Sequence, residues 1–425
     1  MRINTLTTRI LAGLIAGLAL GAASPGLHLA AQAQIVAVAD AIGGVWLDGL
    51  RMTIVPLVFA LLVVGVGQLA GTVRAGGFAG RVLVVFITML LVSTVVSVLA
   101  TLALLQVWPG PAAAAQALRT AAYGAAKAIP ASPPFTDWLR SFVPANVVKA
   151  AADGNMASLV TFGLIFGIAA TQLDETRRGV LFGFFDAVQA TMMRIVGWVL
   201  WLGPVGVFFL AFVVGAKTGF GAVGVLGHYI VIVSIMCLLA GVLGLLMAVI
   251  GGRIPPGPLA RALVPVTAMA ISTQSSLASL PVMLEASEEL GLAERVRGLV
   301  LPMAVALFRI TSPAGNIAVG IYVAHVYGVA LDPGHIAAGV LVAAIVSLAA
   351  VGVASSVTFF TTLVPISMAM GLPLDLLPLL IAVETFPDFS RTVGNVWGDV
   401  GVTAWAARWT RAGAETSGAA PASAE

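Results

Sequence analysis

Glu384-Thr385-Phe386-Pro387-Asp388-Phe389-Ser390-Arg391-Thr392-Val393-Gly394-Asn395-Val396-Trp397-Gly398-Asp399 is the stretch on which the reading of this chain turns. Glu384, Asp388, Arg391, Asn395 and Asp399 recur at intervals of three and four residues. On a helix that spacing makes one polar stripe. The stripe interrupts an apolar run near 374–408. Charged side chains inside a membrane are costly and by default mark a solute or ion path. Arginine presents a planar fork that matches a carboxylate in two parallel bonds. The plainer reading is a ladder of charges that neutralise one another, and it applies most to Glu384.

The rest of the chain supports a membrane setting. Of 425 residues, 60% are hydrophobic and 9% charged, with a mean hydropathy of +1.07. A soluble domain carries about 25% charged residues. A spanning helix needs about 20 apolar residues, so the length admits roughly eight to ten spans with short loops. The net charge of +3 is spread singly or in pairs between apolar runs, which argues against nucleic acid. The one cysteine, Cys237, excludes an intramolecular disulfide and a cysteine-built metal site. The histidines, His28, His228, His325 and His335, are scattered. No nucleophile–base constellation or metal cluster points to an enzyme or a resident cofactor. Arg2 and Arg9 before Ile10–Leu20, with an Ala-x-Ala pattern at Ala31–Ala33, resemble a signal peptide. An uncleaved first helix is preferred, because later spans need it to set their orientation; cleavage is the alternative.

Apolar segments fall near 8–30, 43–71, 80–108, 155–174, 183–215, 222–251, 296–327 and 374–408. Two more, near 258–291 and 334–371, are interrupted by Ser272-Thr273-Gln274-Ser275-Ser276 and Ala354-Ser355-Ser356. Such breaks read as re-entrant hairpins, whose irregular tips must be buried in protein or line a watery cavity. A continuous helix with serines, or two full spans, is the other reading. With eight spans, two hairpins and both termini cytoplasmic, Arg74, Arg81, Arg177, Arg178, Arg253, Arg261, Arg295, Arg297, Arg408 and Arg411 all face the cytoplasm, the positive-inside pattern. The prolines at 109, 111, 130, 133 and 134 mark an external connection over 109–154, and residues 411–425 read as a disordered tail.

The stripe resembles the last helix of the dicarboxylate/amino acid:cation symporter family, the glutamate transporter family. The likeness runs in order over roughly 8–410. Arg51-Met52-Thr53-Ile54-Val55-Pro56 is similar to the start of the family's second helix. Val143-Pro144-Ala145-Asn146 with Asn155 is similar to its fourth-helix region, and Gly203-Pro204-Val205-Gly206 to its fifth helix. Ser275-Ser276-Leu277-Ala278-Ser279 is similar to the tip of its first hairpin.

The resemblance implies an all-α polytopic fold of eight transmembrane helices plus two re-entrant hairpins with inverted repeats, one membrane domain over 1–425 in an inner membrane, and a homotrimer. The scaffold would take in approximately 8–71 and 145–215, and a mobile transport part approximately 80–108 and 222–410. It implies a symporter of acidic amino acids or C4-dicarboxylates working by an elevator-type alternation. Arg391 would bind a solute carboxylate and Asp388 an amino group, with Thr392, Asn395, Ser275 and Ser276 completing the site. Asp399 would coordinate sodium. Asn395, Glu384, Ser93 and Thr94 would serve ion coupling, and the coupling ion would be sodium or a proton. The partners implied are a small acidic solute and membrane lipid.

The chain departs from the family where the ions bind. The family's Asn-Met-Asp-Gly-Thr break falls on Phe308, Arg309, Ile310, Thr311 and Ser312. The glycine-rich tip of the second hairpin falls on Gly352-Val353-Ala354-Ser355-Ser356. An anionic ligand is lost and a cation gained, so Arg309 is expected to stand in for a bound sodium, or else to pair with Glu384 or Asp388. The alternatives to a symporter with altered coupling are a sodium-independent exchanger or channel-like protein, and a solute-binding sensor that moves nothing.

Overall fold

The computed structural model describes residues 5–24, 31–74, 77–111, 115–116, 140, 142–349 and 355–416. Every regular element among them is a helix. In order they are α1 (Thr5–Ala23), α2 (Gln32–Arg51), α3 (Ile54–Arg74), α4 (Gly77–Val107), α5 (Val147–Ala152), α6 (Met156–Ala170), α7 (Glu175–Trp201), α8 (Gly203–Thr218), α9 (Gly221–Leu246), α10 (Pro256–Thr273), α11 (Leu280–Glu289), α12 (Glu294–Leu307), α13 (Thr311–Tyr327), α14 (Pro333–Ala349), α15 (Ser355–Ala369), α16 (Leu377–Val383) and α17 (Thr385–Thr416). Among the described residues, five helical stretches are long and apolar enough to cross a membrane: Gln32–Gln68, Gly77–Val107, Glu175–Trp201, Gly221–Gly251 and Glu294–Tyr327. The protein is an all-α, multi-pass membrane protein.

Local sequence decides where the apolar runs divide. The run near 183–215 is two helices, because Gly203-Pro204 opens α8 with proline in its first turn, where a missing N–H matters least. The run near 258–291 divides at 274–279, where Gln274 takes a left-handed φ of 50°, and α10 and α11 pack on each other. The run near 334–371 divides into α14 and α15, which also pack together. The tip residues Gly352, Val353 and Ala354 lie outside the described residues. So do most of the 109–154 connection and residues 417–425 of the tail, whereas α17 continues to Thr416.

The chain forms two compact units. The first takes in residues 1–70, 98–233 and 316–387. Within it α1 lies along α8 through Gly13, Gly17 and Gly21, which face the backbone of Pro204, Phe208 and Phe212. Trp46 of α2 covers Gly206 and donates its indole N–H to the Val199 carbonyl at 2.8 Å. Phe59, Phe162, Phe166 and Phe185 form an aromatic cluster that joins α3, α6 and α7, with adjacent ring centroids 5.4–5.9 Å apart.

The second unit takes in residues 71–97, 234–315 and 388–425. It is organised by a glycine seam between α9 and α17. A Cβ on Gly241 would sit 2.7 Å from the Gly394 Cα, and one on Gly244 would sit 2.5 Å from the Gly398 Cα. Gly401 abuts the Gly244 carbonyl. After the π-helical turn Met247–Gly251, Gly251 packs on Trp405 and Gly252 on Ala404. Small residues let membrane helices approach backbone to backbone, where dispersion contacts accumulate without a hydrophobic drive. The Arg297 guanidinium, paired with Glu288, ties α12 to α11.

Gly244→Leu should lower stability by about 1–3 kcal/mol, since the added carbon would meet the backbone of Trp397 and Gly398, which cannot yield as a flexible side chain can. Gly298→Ala, where nothing lies within 4 Å of the added carbon, should leave stability unchanged or raise it. Thermal unfolding in detergent, followed by size-exclusion chromatography, checks the contrast.

Candidate solute and ion site

The polar stripe belongs to α17, and its members in the second unit are all buried. Asp388 and Arg391 are each 6% exposed, and Asp399 is 1% exposed. Arg391 Nε lies 3.9 Å from Asp388 Oδ1, one turn away. Thr392 donates its hydroxyl to the Asp388 carbonyl at 2.9 Å. Gly315 makes room for the arginine: a Cβ there would come within 2.9 Å of Arg391 Nη1 and 3.0 Å of the Cys237 sulfur.

Asn395 is committed at one end. Its Oδ1 accepts from the Thr311 N–H at 3.1 Å and lies 2.8 Å from the Thr311 hydroxyl, which also lies 3.0 Å from the Arg391 carbonyl. Thr311 opens α13, so its N–H has no partner inside its own helix, and a side chain from α17 supplies one. The amide NH2 is the part of Asn395 that this cap leaves uncommitted.

The residues expected to break the seventh helix do break it, between Leu307 and Thr311. Phe308 turns away from polar work and stacks on Phe86 of α4, ring centroids 4.8 Å apart. Ile310 and Phe308 both face Gly398. The Arg309 side chain, partly exposed, lies within electrostatic reach of Arg391, Asp388 and Asp399. Neither carboxylate oxygen of Asp399 has a hydrogen-bond partner among the described residues. A buried carboxyl group in that condition calls for a cation or a proton; Arg309 supplies a nearby positive charge without a hydrogen bond to it.

Ser93 and Thr94 of α4 are buried, and both point back at the Leu90 carbonyl, at 2.9 and 2.6 Å. Ser93 Oγ also lies 3.1 Å from the Ile310 carbonyl in the break. Ser97, one turn on, donates to the Ala314 carbonyl at 2.7 Å. Ser97 escaped the sequence reading, although it follows Ser93 at the four-residue spacing of one helix face. Gly315 escaped it as well, and Thr311 was read only as part of the break, with no partner assigned to it.

Ser275 and Ser276 sit in the 274–279 break. Ser275 Oγ accepts from the Ala278 N–H at 3.2 Å, and neither serine's side chain is bonded to the stripe. In the first unit, buried Glu384 accepts a 2.6 Å hydrogen bond from the Tyr229 hydroxyl. That tyrosine too escaped the sequence reading, because nothing in an apolar run announces which buried hydroxyl meets which carboxylate.

A helical fold with an arginine at the break of one helix and buried charged groups on the stripe of another defines a multi-pass membrane protein of the solute-transporter class. The profile of the Sodium:dicarboxylate symporter family matches residues 6–409. The chain belongs to that family. It is 26% identical to the proton/glutamate-aspartate symporter of Escherichia coli, over 95% of this chain and 93% of that protein. It is 30% identical to human neutral amino acid transporter A over 94% and 81%. It is 27% identical to the C4-dicarboxylate transport protein of Rhizobium etli over 95% and 89%. The protein is a transporter by family, not an enzyme.

Asn395→Leu would strand the Thr311 N–H, while the hydroxyl keeps the Arg391 carbonyl, and should cost about 1–3 kcal/mol. Thr311→Ser, which keeps both donors, should stay near wild type. Chemical unfolding followed by tryptophan fluorescence separates the two.

Proposed function

We propose that the protein is a secondary transporter of a small dicarboxylic solute, either an acidic amino acid or a C4-dicarboxylate, and that Arg309 replaces one coupling cation. The observation that carries this is the position of Arg309, within electrostatic reach of Asp399, a fully buried carboxylate with no hydrogen-bond partner. In this reading Arg391 takes one solute carboxylate in a bidentate pair, the Asn395 amide donates to the solute, and Ser275 and Ser276 close over the second carboxylate. Asp388 takes the amino group when there is one. Sodium needs several oxygen ligands, and Phe308 and Ile310 are engaged in apolar packing instead. A fixed guanidinium supplies charge compensation without an ion to load. Coupling then shifts to protons, carried by Glu384 or Asp388, or is lost to exchange.

The family context supports both halves of the proposal. The relatives are named for acidic amino acids, neutral amino acids and C4-dicarboxylates, and one is named for protons although the family is named for sodium. We further propose that the chain works as a homotrimer in an inner membrane with both termini cytoplasmic. Approximately 8–71 and 145–215 act as scaffold, and approximately 80–108 and 222–410 move as the transport part.

The test is uptake of radiolabelled aspartate and, separately, succinate into liposomes under an inward sodium gradient, an inward proton gradient or neither. The expected result is uptake that sodium does not drive, with Arg391→Ala reducing it at least about tenfold through loss of the bidentate pair. Arg309→Met should make transport sodium-dependent or abolish it. Sodium-driven uptake by the wild type, or an Arg309→Met protein with unchanged ion dependence, overturns the role given to Arg309. Uptake that requires internal solute identifies an exchanger, and binding without flux identifies a sensor.

A further inference from the structure

The second unit carries a groove that the solute site does not use. It has a volume of about 740 Å³ and runs between α9 and α10 over Trp397 of α17. Val242, Leu246, Val264 and Ile271 stand exposed along it, from 41% to 67%. Its polar atoms are spent on one another. The Trp397 indole donates to Thr267 Oγ1 at 2.9 Å, and the Thr267 hydroxyl donates to the Leu263 carbonyl at 2.7 Å. The walls therefore offer an occupant dispersion contacts but little hydrogen bonding, which suits a hydrocarbon chain.

The end of the groove has a different character. Pro256 lines it there, three residues after Arg253, and Ala260 lines it beside Arg261. Both arginines are exposed, and neither is paired with a carboxylate among the described residues. No acidic residue occurs anywhere from Ala187 to Leu284. Arg253 also holds a left-handed φ of 56°, a conformation a non-glycine residue adopts only where its surroundings impose it. Two exposed arginines adjoining, in sequence, the residues that line one end, and a dry apolar trough beyond them, match a single amphiphile: an anionic headgroup followed by an acyl chain.

We propose that this groove binds an anionic phospholipid, with its phosphate between Arg253 and Arg261 and one acyl chain against Leu246, Val264 and Trp397. The site lies on α9 and α10, the elements that frame the glycine seam and the 274–279 break. A lipid seated there contacts the unit that holds the polar stripe. The inference is independent of which solute or ion the protein carries.

Trp397 provides the readout. The protein is reconstituted into bilayers containing phosphatidylglycerol or phosphatidylcholine brominated on the acyl chain, and the quenching that disappears in Trp397→Phe is taken as the groove signal. Brominated phosphatidylglycerol should reach half-maximal groove quenching at roughly tenfold lower membrane fraction than brominated phosphatidylcholine, from two unpaired arginines near the surface. Arg253→Gln with Arg261→Gln should bring the two lipids together, and Ala268→Phe, which fills the trough, should reduce quenching by both. If the paired variant does not fold, a salt titration of the wild type replaces it, and the preference should fall as salt rises. Equal quenching by the two lipids, or a preference untouched by the glutamines or by salt, overturns the proposal.

Discussion

Ionised side chains buried among apolar helices must find compensating charge or hydrogen bonds, because desolvation in a low dielectric otherwise outweighs every local gain. The second unit is arranged around that constraint. Asp388 and Arg391 compensate each other along one helix face, and Asn395 spends its carbonyl on the buried N-terminus of α13. A broken helix is tolerable at that depth only because a side chain of α17 satisfies what the break uncovers. The stripe and the break therefore stabilise each other, and neither would persist in a membrane alone.

That mutual support depends on distance. Asparagine and arginine side chains reach the break only because α17 is held close, and the glycines at 394, 398 and 401 let its backbone meet α9 without intervening side chains. Gly394 also faces Thr311, and Gly398 faces Ile310 and Phe308. Here the replacement of oxygen ligands by apolar residues has a packing rationale. Phe308 stacks on Phe86, Ile310 covers Gly398, and the volume is filled. What packing does not provide is charge, and the one residue of the break that carries any is Arg309. Helix α9 serves two surfaces at once. Its glycine face meets α17, and its larger apolar residues, Val242, Leu245 and Leu246, line the trough on another face.

Much of this was legible in the chain. The hydropathy of 80–108 and 222–251 foretold α4 and α9 within a few residues, since a long apolar run has few ways to satisfy its backbone in lipid other than as a helix. The stripe from Asp388 to Asp399 was legible from its three- and four-residue spacing, and the break near Phe308 from its place in the family pattern. The division at Leu202 was not read, although proline after Gly203 signals it, because continuous hydropathy across 183–215 masked a local stop.

By itself, the sequence determined the solvent, the helical class, the family and the face on which the charges fall, because each follows from composition or from period along one element. Only the tertiary structure decided the partners: Asn395 with Thr311, Ser97 with Ala314, Tyr229 with Glu384, Gly315 beside Arg391. The three hydrogen-bonded pairs lie between 84 and 217 residues apart, and the fourth depends on the absence of a Cβ. Periodicity orders side chains around a single helix and says nothing of which neighbouring helix, at which height, will meet them.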